Sequence, residues 1–313
     1  MKETKKPWPA QFGLAIALVV LMAALSIARP NFLTVGNLVN VLRQISINGI
    51  LAVGGTYVIL TGGVDLSPGS LVALTGVVAA LFAHPGEFAV FVPVCLGILA
   101  GALCGALNGW IVTRGRVAPF IVTLGMMTSA RGLALLASGG RPVSNLSAAF
   151  TGIGGGDLAA VPIPILIFFA VALLSHLFLR NMRAGRHLYA VGGNENAARA
   201  SGVKVGRVKL MAYTLSGALA GLGGVVLAAR ITTGQPNAGI GYELDAIAAV
   251  VIGGTSLNGG IGGVSGTVLG ALLIGVLNNG LDLLNVSSYY QQVIKGVIIV
   301  GAVWLDRSHH RDQ

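Results

Sequence analysis

The sequence predicts an all-α membrane protein, a polytopic bundle of about ten transmembrane helices, and three observations support this fold class. Hydrophobic residues make up 54% of the 313-residue chain, and charged residues make up only 10%. The mean hydropathy is +0.83. Apolar stretches long enough to cross a bilayer recur between turn-like breaks. We therefore predict a single transmembrane domain covering residues 1–313.

The apolar stretches locate the individual spans. A helix needs about 20 predominantly apolar residues to cross the hydrocarbon core, and glycine, proline or charged residues mark where each stretch ends. Several stretches are short or rich in glycine. The predicted spans are 12–28, 45–61, 66–83, 88–113, 119–137, 161–179, 210–230, 244–258, 263–284 and 289–305.

Basic residues orient these spans, because Lys and Arg accumulate in cytoplasmic loops. With the N-terminus inside, the cytoplasmic segments hold three basic residues at the start, two in 114–118, seven in 180–209 and two after residue 305, which is fourteen of the twenty. We interpret the first span as a retained signal anchor, because a poor cleavage site follows it. Both termini are therefore predicted to be cytoplasmic. Because topology accounts for the net charge of +10, we predict no nucleic-acid binding.

The 47 glycines predict close helix packing and broken helices. Small residues four apart, as in 101–109 and 217–221, let membrane helices approach one another closely. Glycine-rich breaks in apolar spans are also typical of transporters, where they lie near the transport pathway.

A recurring pattern predicts an internal repeat. The residues 62–69 and 253–260 both read Gly-Gly-x-x-Leu-x-x-Gly, and an asparagine-containing segment follows each of them. We predict repeat halves at roughly 45–137 and 210–305. The pattern does not decide between a parallel and an inverted arrangement.

The segment 180–209 holds seven basic residues and a single acid, Glu195. Within it Asn194 suits an N-cap, three alanines favour helix, and Gly202 suits a helix end. A helix of about 10 Å is too short to be stable alone, so it needs a surface to pack on. Two interpretations remain open: its arginines hold it on anionic lipid, or it fits a groove on a cytoplasmic motor subunit.

No set of residues predicts catalysis or a bound cofactor. The chain has no G-x-x-x-x-G-K-[ST] phosphate loop and no H-E-x-x-H metal motif. It also lacks a pair of carboxylates placed for acid–base chemistry. We therefore predict a protein that is not an enzyme and that carries neither cofactor nor metal.

Ionisable residues at the ends of predicted spans are candidates for function, because burying a charge in a membrane is costly. Asp65 precedes Ser67 and Pro68, which suit an N-cap and a first helical residue, so we interpret it as part of a helix start. None lies deep enough in a span to predict the proton or sodium handle of a secondary transporter. The four candidates are Asp65, Arg131, Asp282 and Lys295.

Six motifs follow one another along the chain: 60–70 (LTGGVDLSPGS), 119–124 (PFIVTL), 190–195 (AVGGNE), 241–250 (GYELDAIAAV), 253–257 (GGTSL) and 286–291 (VSSYYQ). In this order they resemble the membrane permease subunits of bacterial ATP-driven sugar importers, and most of all those that carry ribose. The resemblance covers the chain from about Pro30 to Asp306.

The resemblance implies a protein of the bacterial inner membrane that works with three kinds of partner. A second copy of the permease completes a homodimer, a periplasmic sugar-binding protein delivers the solute, and a cytoplasmic ATP-binding subunit drives transport. It also implies that the 194–202 helix is the coupling helix, although Asn196 separates Glu195 from the alanines that directly follow the glutamate in such permeases. The implied coupling residues are Arg186, Gly193, Asn194, Glu195, Ala197, Ala198, Arg199 and Gly202.

The implied solute is a monosaccharide, ribose or another pentose. Side-chain amides bond hydroxyl groups well, so the candidates along a translocation path are Asn48, Asn108, Asn278 and Asn279. One alternative is an ion-coupled secondary transporter that acts alone. Within the family, the alternative is a branched-chain amino acid permease. The glycine-broken spans give little support to a third alternative, a membrane scaffold without transport.

Overall fold

The computed structural model describes residues 10–309, and this part of the chain is helical except for turns, connecting segments and one short strand pair. The basic residues before residue 10 and the residues after 309 lie outside the described part. The predicted all-α, polytopic architecture is confirmed. The α-helices are α1 (Ala10–Ala28), α2 (Val35–Leu60), α3 (Pro68–Leu81), α4 (Phe91–Arg114), α5 (Pro119–Ser138), α6 (Ala148–Gly155), α7 (Ile163–Asn181), α8 (Arg183–Gly193), α9 (Glu195–Ala200), α10 (Val205–Arg230), α11 (Tyr242–Ile252), α12 (Val264–Leu283) and α13 (Ser288–His309).

Each of the ten predicted spans coincides with a helix, but two of these helices are too short to cross a bilayer. By length and composition, six of the described helices are long and apolar enough to span: α2, α4, α5, α7, α10 and α12. In contrast, α3 has 14 residues and α11 has 11, where about 20 are needed. The predictions of continuous spans at 66–83 and 244–258 are therefore wrong.

Glycines beside these two short helices adopt backbone angles that other residues avoid, before α3 and after α11. Gly62 has a φ of 74° in the segment between α2 and α3. Four glycines with positive φ, from Gly254 to Gly262, hold the segment between α11 and α12 in a non-helical path. Both α3 and α11 therefore belong to broken spans, each made of a short buried helix and an adjoining non-helical segment.

The structure also contains elements that the apolar pattern did not predict. A 3-10 turn, Pro30–Leu33, follows α1, and α6 lies between the fifth and sixth predicted spans. The two-residue strands β1 (Asp157–Leu158) and β2 (Val161–Pro162) form an antiparallel pair before α7. These elements are too short or too polar to leave a hydropathy signal.

The predicted small-residue faces pack against each other, which confirms their role. The glycines of α4 and α10 face one another, so that a Cβ added at Gly101 would overlap Gly217 and Gly221. One added at Gly105 would overlap the carbonyl oxygen of Tyr213. Close backbone approach maximises van der Waals contact, which stabilises helix pairs where lipid offers no hydrophobic drive.

The helices α2 and α10 form the centre, and their neighbours are arranged in matching ways. The two helices run antiparallel, with Gly54 against Ser216 and Leu51 against Gly223. An antiparallel helix packs on each, α12 on α2 and α4 on α10, and a short parallel helix lies beside each, α11 beside α2 and α3 beside α10. The sets α2–α3–α4 and α10–α11–α12 therefore have equivalent packing with opposite direction.

The two Gly-Gly segments do not occupy equivalent positions in this arrangement. The segment 62–69 joins α2 to α3, whereas 253–260 joins α11 to α12. The two segments lie beside each other, and the Gly260 N–H donates to the Leu60 carbonyl oxygen at 3.0 Å. The two segments of similar sequence therefore contact each other at one end of the bundle.

Candidate coupling and translocation sites

The predicted helix at 194–202 forms as α9, and its caps are those expected from the sequence. The Asn194 Oδ1 atom accepts a hydrogen bond from the Ala197 N–H at 2.9 Å, which satisfies an unpaired donor of the first turn. After α9, Gly202 has a φ of 82° and turns the chain towards α10.

An acid at the start of α9 ties this helix to its neighbour. The Glu195 carboxylate accepts from Lys209 Nζ on α10 at 2.6 Å and pairs with Arg199, one turn further along α9, at 2.8 Å. The hydrogen bond from Lys209 holds the pKa of Glu195 below its ordinary range, and the charges of Lys209 and Arg199 add to this effect. The single acid of the basic segment therefore fixes α9 onto α10.

Two adjacent alanines of α9, Ala197 and Ala198, face opposite environments. Ala198 is buried, and the Val203 N–H donates to its carbonyl oxygen at 3.0 Å. Ala197 and Arg199 are exposed and face away from the chain. Among the predicted coupling residues, Ala198 therefore packs α9 against its own chain, and the exposed side chains form the free surface.

The end of α8 lies against two other segments through a glycine that the sequence analysis did not select. A Cβ added at Gly192 would overlap the Leu60 carbonyl oxygen and the Gly260 nitrogen. Nearby, the Tyr189 hydroxyl donates to the Gly262 carbonyl oxygen at 3.0 Å. In contrast, a Cβ at the predicted residue Gly193 would meet nothing within 4 Å.

The segment α8–α9 thus contacts three parts of the bundle: the end of α2, the glycine-rich segment after α11, and the start of α10. Arg186, another predicted coupling residue, is exposed on α8, and its guanidinium lies 3.4 Å from the Asn181 carbonyl oxygen. The segment therefore touches both helices of the central pair and one broken span.

A polar cluster lies where α2 is followed by α3, at the predicted helix start. Both Asp65 carboxylate oxygens accept hydrogen bonds, Oδ1 from the Ser67 hydroxyl at 2.6 Å and Oδ2 from the Ser216 hydroxyl at 2.9 Å. Ser67 and Pro68 begin α3 as predicted, but the Ser67 side chain does not cap the helix. Its hydroxyl turns to Asp65 instead, because burying that carboxylate without donors would be costly.

The four predicted path asparagines separate into different environments. Asn48 and Asn278 line the same small cleft between α2, α11 and α12, and in both the buried Oδ1 has no hydrogen-bond partner. Asn108 donates to the Ser67 hydroxyl at 3.1 Å, and its buried Oδ1 also has no partner. Asn279 exchanges two hydrogen bonds with Asn37, at 2.9 and 3.0 Å, and so joins α12 to the start of α2.

Asp245 of α11 also lines this cleft and was not among the predicted site residues. It is buried, and Lys295 Nζ of α13 lies 3.0 Å from its Oδ2. The signal was available, because Asp245 falls inside the predicted span 244–258 and intramembrane acids are unusual. An ion pair and two unpaired amide oxygens therefore meet beside a broken span.

The two remaining intramembrane candidates, Arg131 and Asp282, connect neighbouring segments of the chain. Both Arg131 contacts come from one guanidinium nitrogen, which donates to the Pro236 and Ala238 carbonyl oxygens at 2.7 Å each. Asp282 accepts from the Gln291 amide at 2.8 Å across the turn between α12 and α13. Neither contributes to the cleft of Asn48 and Asn278.

Comparison with known proteins places this architecture in a family. A family model described as the permease component of branched-chain amino acid transport systems matches residues 37–303. The chain belongs to this permease family. The permease is 49% identical to the ribose import permease protein RbsC of Escherichia coli K12, over 96% of this chain and 95% of that protein.

Further relatives include a second ribose permease and a permease named for another sugar. The permease is 46% identical to the RbsC protein of Bacillus subtilis 168, over 95% of this chain and 92% of that protein. It is 38% identical to the D-allose transport system permease protein AlsC of Escherichia coli K12, over 95% and 91% of the two chains. No solved structure matches the permease. Family and architecture together make it a multi-pass membrane transport subunit rather than an enzyme.

Proposed function

We propose that this permease is the membrane subunit of an ATP-driven importer that brings a monosaccharide, ribose or another pentose, into the cytoplasm. The identity of 45–49% over nearly the whole chain to ribose import permeases carries this proposal. Relatives named for D-allose, xylose and L-arabinose transport are 35–38% identical. The sugar is therefore proposed from the more similar relatives, and the branched-chain description of the family is the alternative.

The partners and the orientation belong to the same proposal. Two copies of the permease pair in the inner membrane with both termini in the cytoplasm, and a periplasmic sugar-binding protein delivers the solute. An ATP-binding subunit contacts the exposed face of α9 that carries Ala197 and Arg199. The support is the coupled geometry of α8 and α9, which leaves that face free and fixes the opposite face to the bundle.

Transport then follows from a rigid connection. Closure of the ATP-binding subunits displaces α9, and the Glu195–Lys209 pair passes the displacement to α10. The Gly192 contact passes it to α2 and to the segment after α11. Because α2–α3–α4 and α10–α11–α12 are packed equivalently, the displacement rocks one set against the other and shifts the equilibrium between outward- and inward-open states.

We place the translocation path beside Asn48 and Asn278. Each offers an unpaired amide oxygen in the cleft next to Asp245, and sugar hydroxyls are donors that such oxygens accept. Asn108 also has an unpaired Oδ1, but it lies outside this cleft and donates to Ser67, and Asn279 bonds Asn37. We therefore assign both to positioning helices.

Reconstitution tests the proposal. The permease would be placed in proteoliposomes with an ATP-binding subunit and a ribose-binding protein, and uptake of labelled ribose and labelled leucine would be measured. We expect ATP-dependent accumulation of ribose and no accumulation of leucine. Leucine uptake would establish the alternative within the family. Accumulation by the permease alone, driven by a proton or sodium gradient, would overturn the ATP-driven mechanism.

A pair of variants tests the coupling surface. Ala197→Leu adds bulk to the free face of α9, so we expect the loss of most ATP-driven uptake while the protein level in the membrane stays normal. Ala149→Leu makes the same change at an exposed alanine of α6 and serves as the control. Equal uptake by both variants would contradict the docking role of α9.

A further inference from the structure

A basic groove lies beside the coupling helix, between α8 and α10. Its volume is about 360 Å³. The residues that line it include His187 of α8, Val203 and Lys204 just before α10, and Arg207 in the first turn of α10. The only acid in 180–209, Glu195, is occupied by Lys209 and Arg199. Within residues 10–309, the side chains of His187, Lys204 and Arg207 have no acidic partner.

The predicted edge of the membrane lies close to this groove. Arg207 lies three residues before Leu210, where the predicted span of α10 begins. At 1.5 Å per residue, the two positions are only about 4.5 Å apart along the helix axis. The basic side chains therefore lie at the level of the lipid headgroups, which flank the hydrocarbon core.

An apolar stripe continues from the groove along α10. Residues four, eight, eleven and fifteen positions after Arg207 lie on its side of the helix. All four are apolar and only half-buried, so they remain partly accessible from the surface. They are Met211, Leu215, Ala218 and Leu222.

We propose that this groove binds the phosphate headgroup of an anionic phospholipid, whose acyl chain lies along the half-buried stripe of α10. The cationic side chains match a phosphate, and the stripe below them matches a hydrocarbon chain. An acidic segment of a protein partner would use the groove and leave the stripe uncovered. The inference rests on the cytoplasmic orientation proposed above, because anionic lipid is concentrated in that leaflet.

The test uses the purified full-length permease in detergent without any partner protein. Binding of phosphatidylglycerol and of phosphatidylcholine with the same acyl chains is measured by native mass spectrometry. The variant Lys204→Gln/Arg207→Gln removes two charges from the groove. The control Arg114→Gln/Arg116→Gln removes two exposed charges at the end of α4, on the same side of the bundle.

We expect the wild type and the control to prefer phosphatidylglycerol. In the groove variant the preference should fall about fivefold per removed charge, roughly 25-fold in all. An equal loss in the control would overturn the site in favour of diffuse surface charge. Competition by inorganic phosphate at the same concentration as the lipid would overturn the lipid and leave a free-anion site.

A third outcome separates a protein partner from a lipid. If the groove variant keeps its lipid preference but loses affinity for the ATP-binding subunit, the groove is a protein-docking surface and the proposal is wrong. The lipid measurement needs neither ATP nor sugar. Its failure therefore leaves the proposed import function intact, and a failure of import leaves the lipid site intact.

Discussion

Two adjacent glycines at the end of α8 face different surroundings. A Cβ at Gly192 would collide with the backbone of two other segments, whereas one at Gly193 would meet open space. We expect Gly192→Ala to destabilise the junction by about 1–3 kcal/mol through overpacking and to abolish ATP-driven uptake. Gly193→Ala should retain both stability and uptake. Thermal unfolding and uptake assays check the pair, and equal behaviour of the two variants would contradict the contact.

The Asp245–Lys295 pair provides a second test at the residue scale. Removing Lys295 leaves the buried Asp245 carboxylate unpaired, which typically costs about 3–5 kcal/mol. Removing Asp245 leaves a lysine that is 28% exposed, so the cost should be smaller. We expect Asp245→Asn and Lys295→Met each to lower the thermal stability, and the double variant to regain most of it. If the double variant is no more stable than the worse single variant, the two side chains do not act as a pair.

Single residues were predictable where the chemistry is local. Asn194 caps α9 as expected, because an N-cap depends only on the next three residues. The orientation of the Ser67 hydroxyl was not predictable, because its partner Asp65 is also bound by Ser216, 151 residues away. The contacts of Gly192 were not predictable for the same reason, since its neighbours come from α2 and from the segment after α11.

The short helix α9 is attached by the packing of Ala198 and by the ion pair of Glu195 with Lys209, so part of its attachment should depend on pH. The folded structure lowers the pKa of Glu195, mainly through the hydrogen bond from Lys209. The contribution to stability is therefore present above the ordinary pKa of about 4.5 and is lost as the pH falls through the lower folded value.

A spin label checks this dependence. With Ala200→Cys labelled in a background where Cys95 and Cys104 are replaced by serine, we expect low mobility at pH 7 and rising mobility as the pH falls below the lowered pKa of Glu195. Adding Glu195→Gln should give high mobility at both pH values. A label at Ala149→Cys in α6 controls for general unfolding. Unchanged mobility at position 200 on acidification would contradict the role of Glu195.

The glycine interface between α4 and α10 is the element whose role the sequence predicted most directly. We expect Gly105→Ala to lower thermal stability strongly, because its added Cβ meets backbone atoms of α10. Gly125→Ala on α5 adds the same group where nothing lies within 4 Å and should have little effect. Equal unfolding temperatures for the two variants would rule out close packing as the cause.

The broken spans show where prediction from apolar pattern ends. The stretches 66–83 and 244–258 are apolar because α3 and α11 are buried among other helices. Burial in protein and burial in lipid produce the same composition, so hydropathy alone cannot fix the helix length. The glycines marked the breaks, but their backbone angles depend on neighbours distant in sequence.

For the whole molecule, orientation is the prediction that remains to be measured. Single cysteines at Ser201 and Ala149 would be introduced into the same cysteine-free background. With both termini inside, we expect a membrane-impermeant maleimide added outside to label position 149 and to leave position 201 unlabelled until the membrane is opened. The reverse pattern would overturn the orientation, and the coupling proposal with it.

Family membership followed from motifs spread along the chain, whereas the three-dimensional arrangement did not. The sequence indicated a repeat through two Gly-Gly segments, but these segments touch each other and do not hold equivalent positions. The two three-helix sets are equivalent in how their helices pack, because α2 and α10 each have an antiparallel partner. Low-complexity glycine patterns therefore predict such structural symmetry poorly.

The position of Gly192 has a consequence for the timing of transport. One residue contacts the end of α2 and the segment after α11 at once, so we expect these two segments to move together during transport. We expect a subunit connected in this way to populate two conformations, without a stable intermediate between them. Time-resolved fluorescence from the two sets of helices should accordingly follow a single shared exponential.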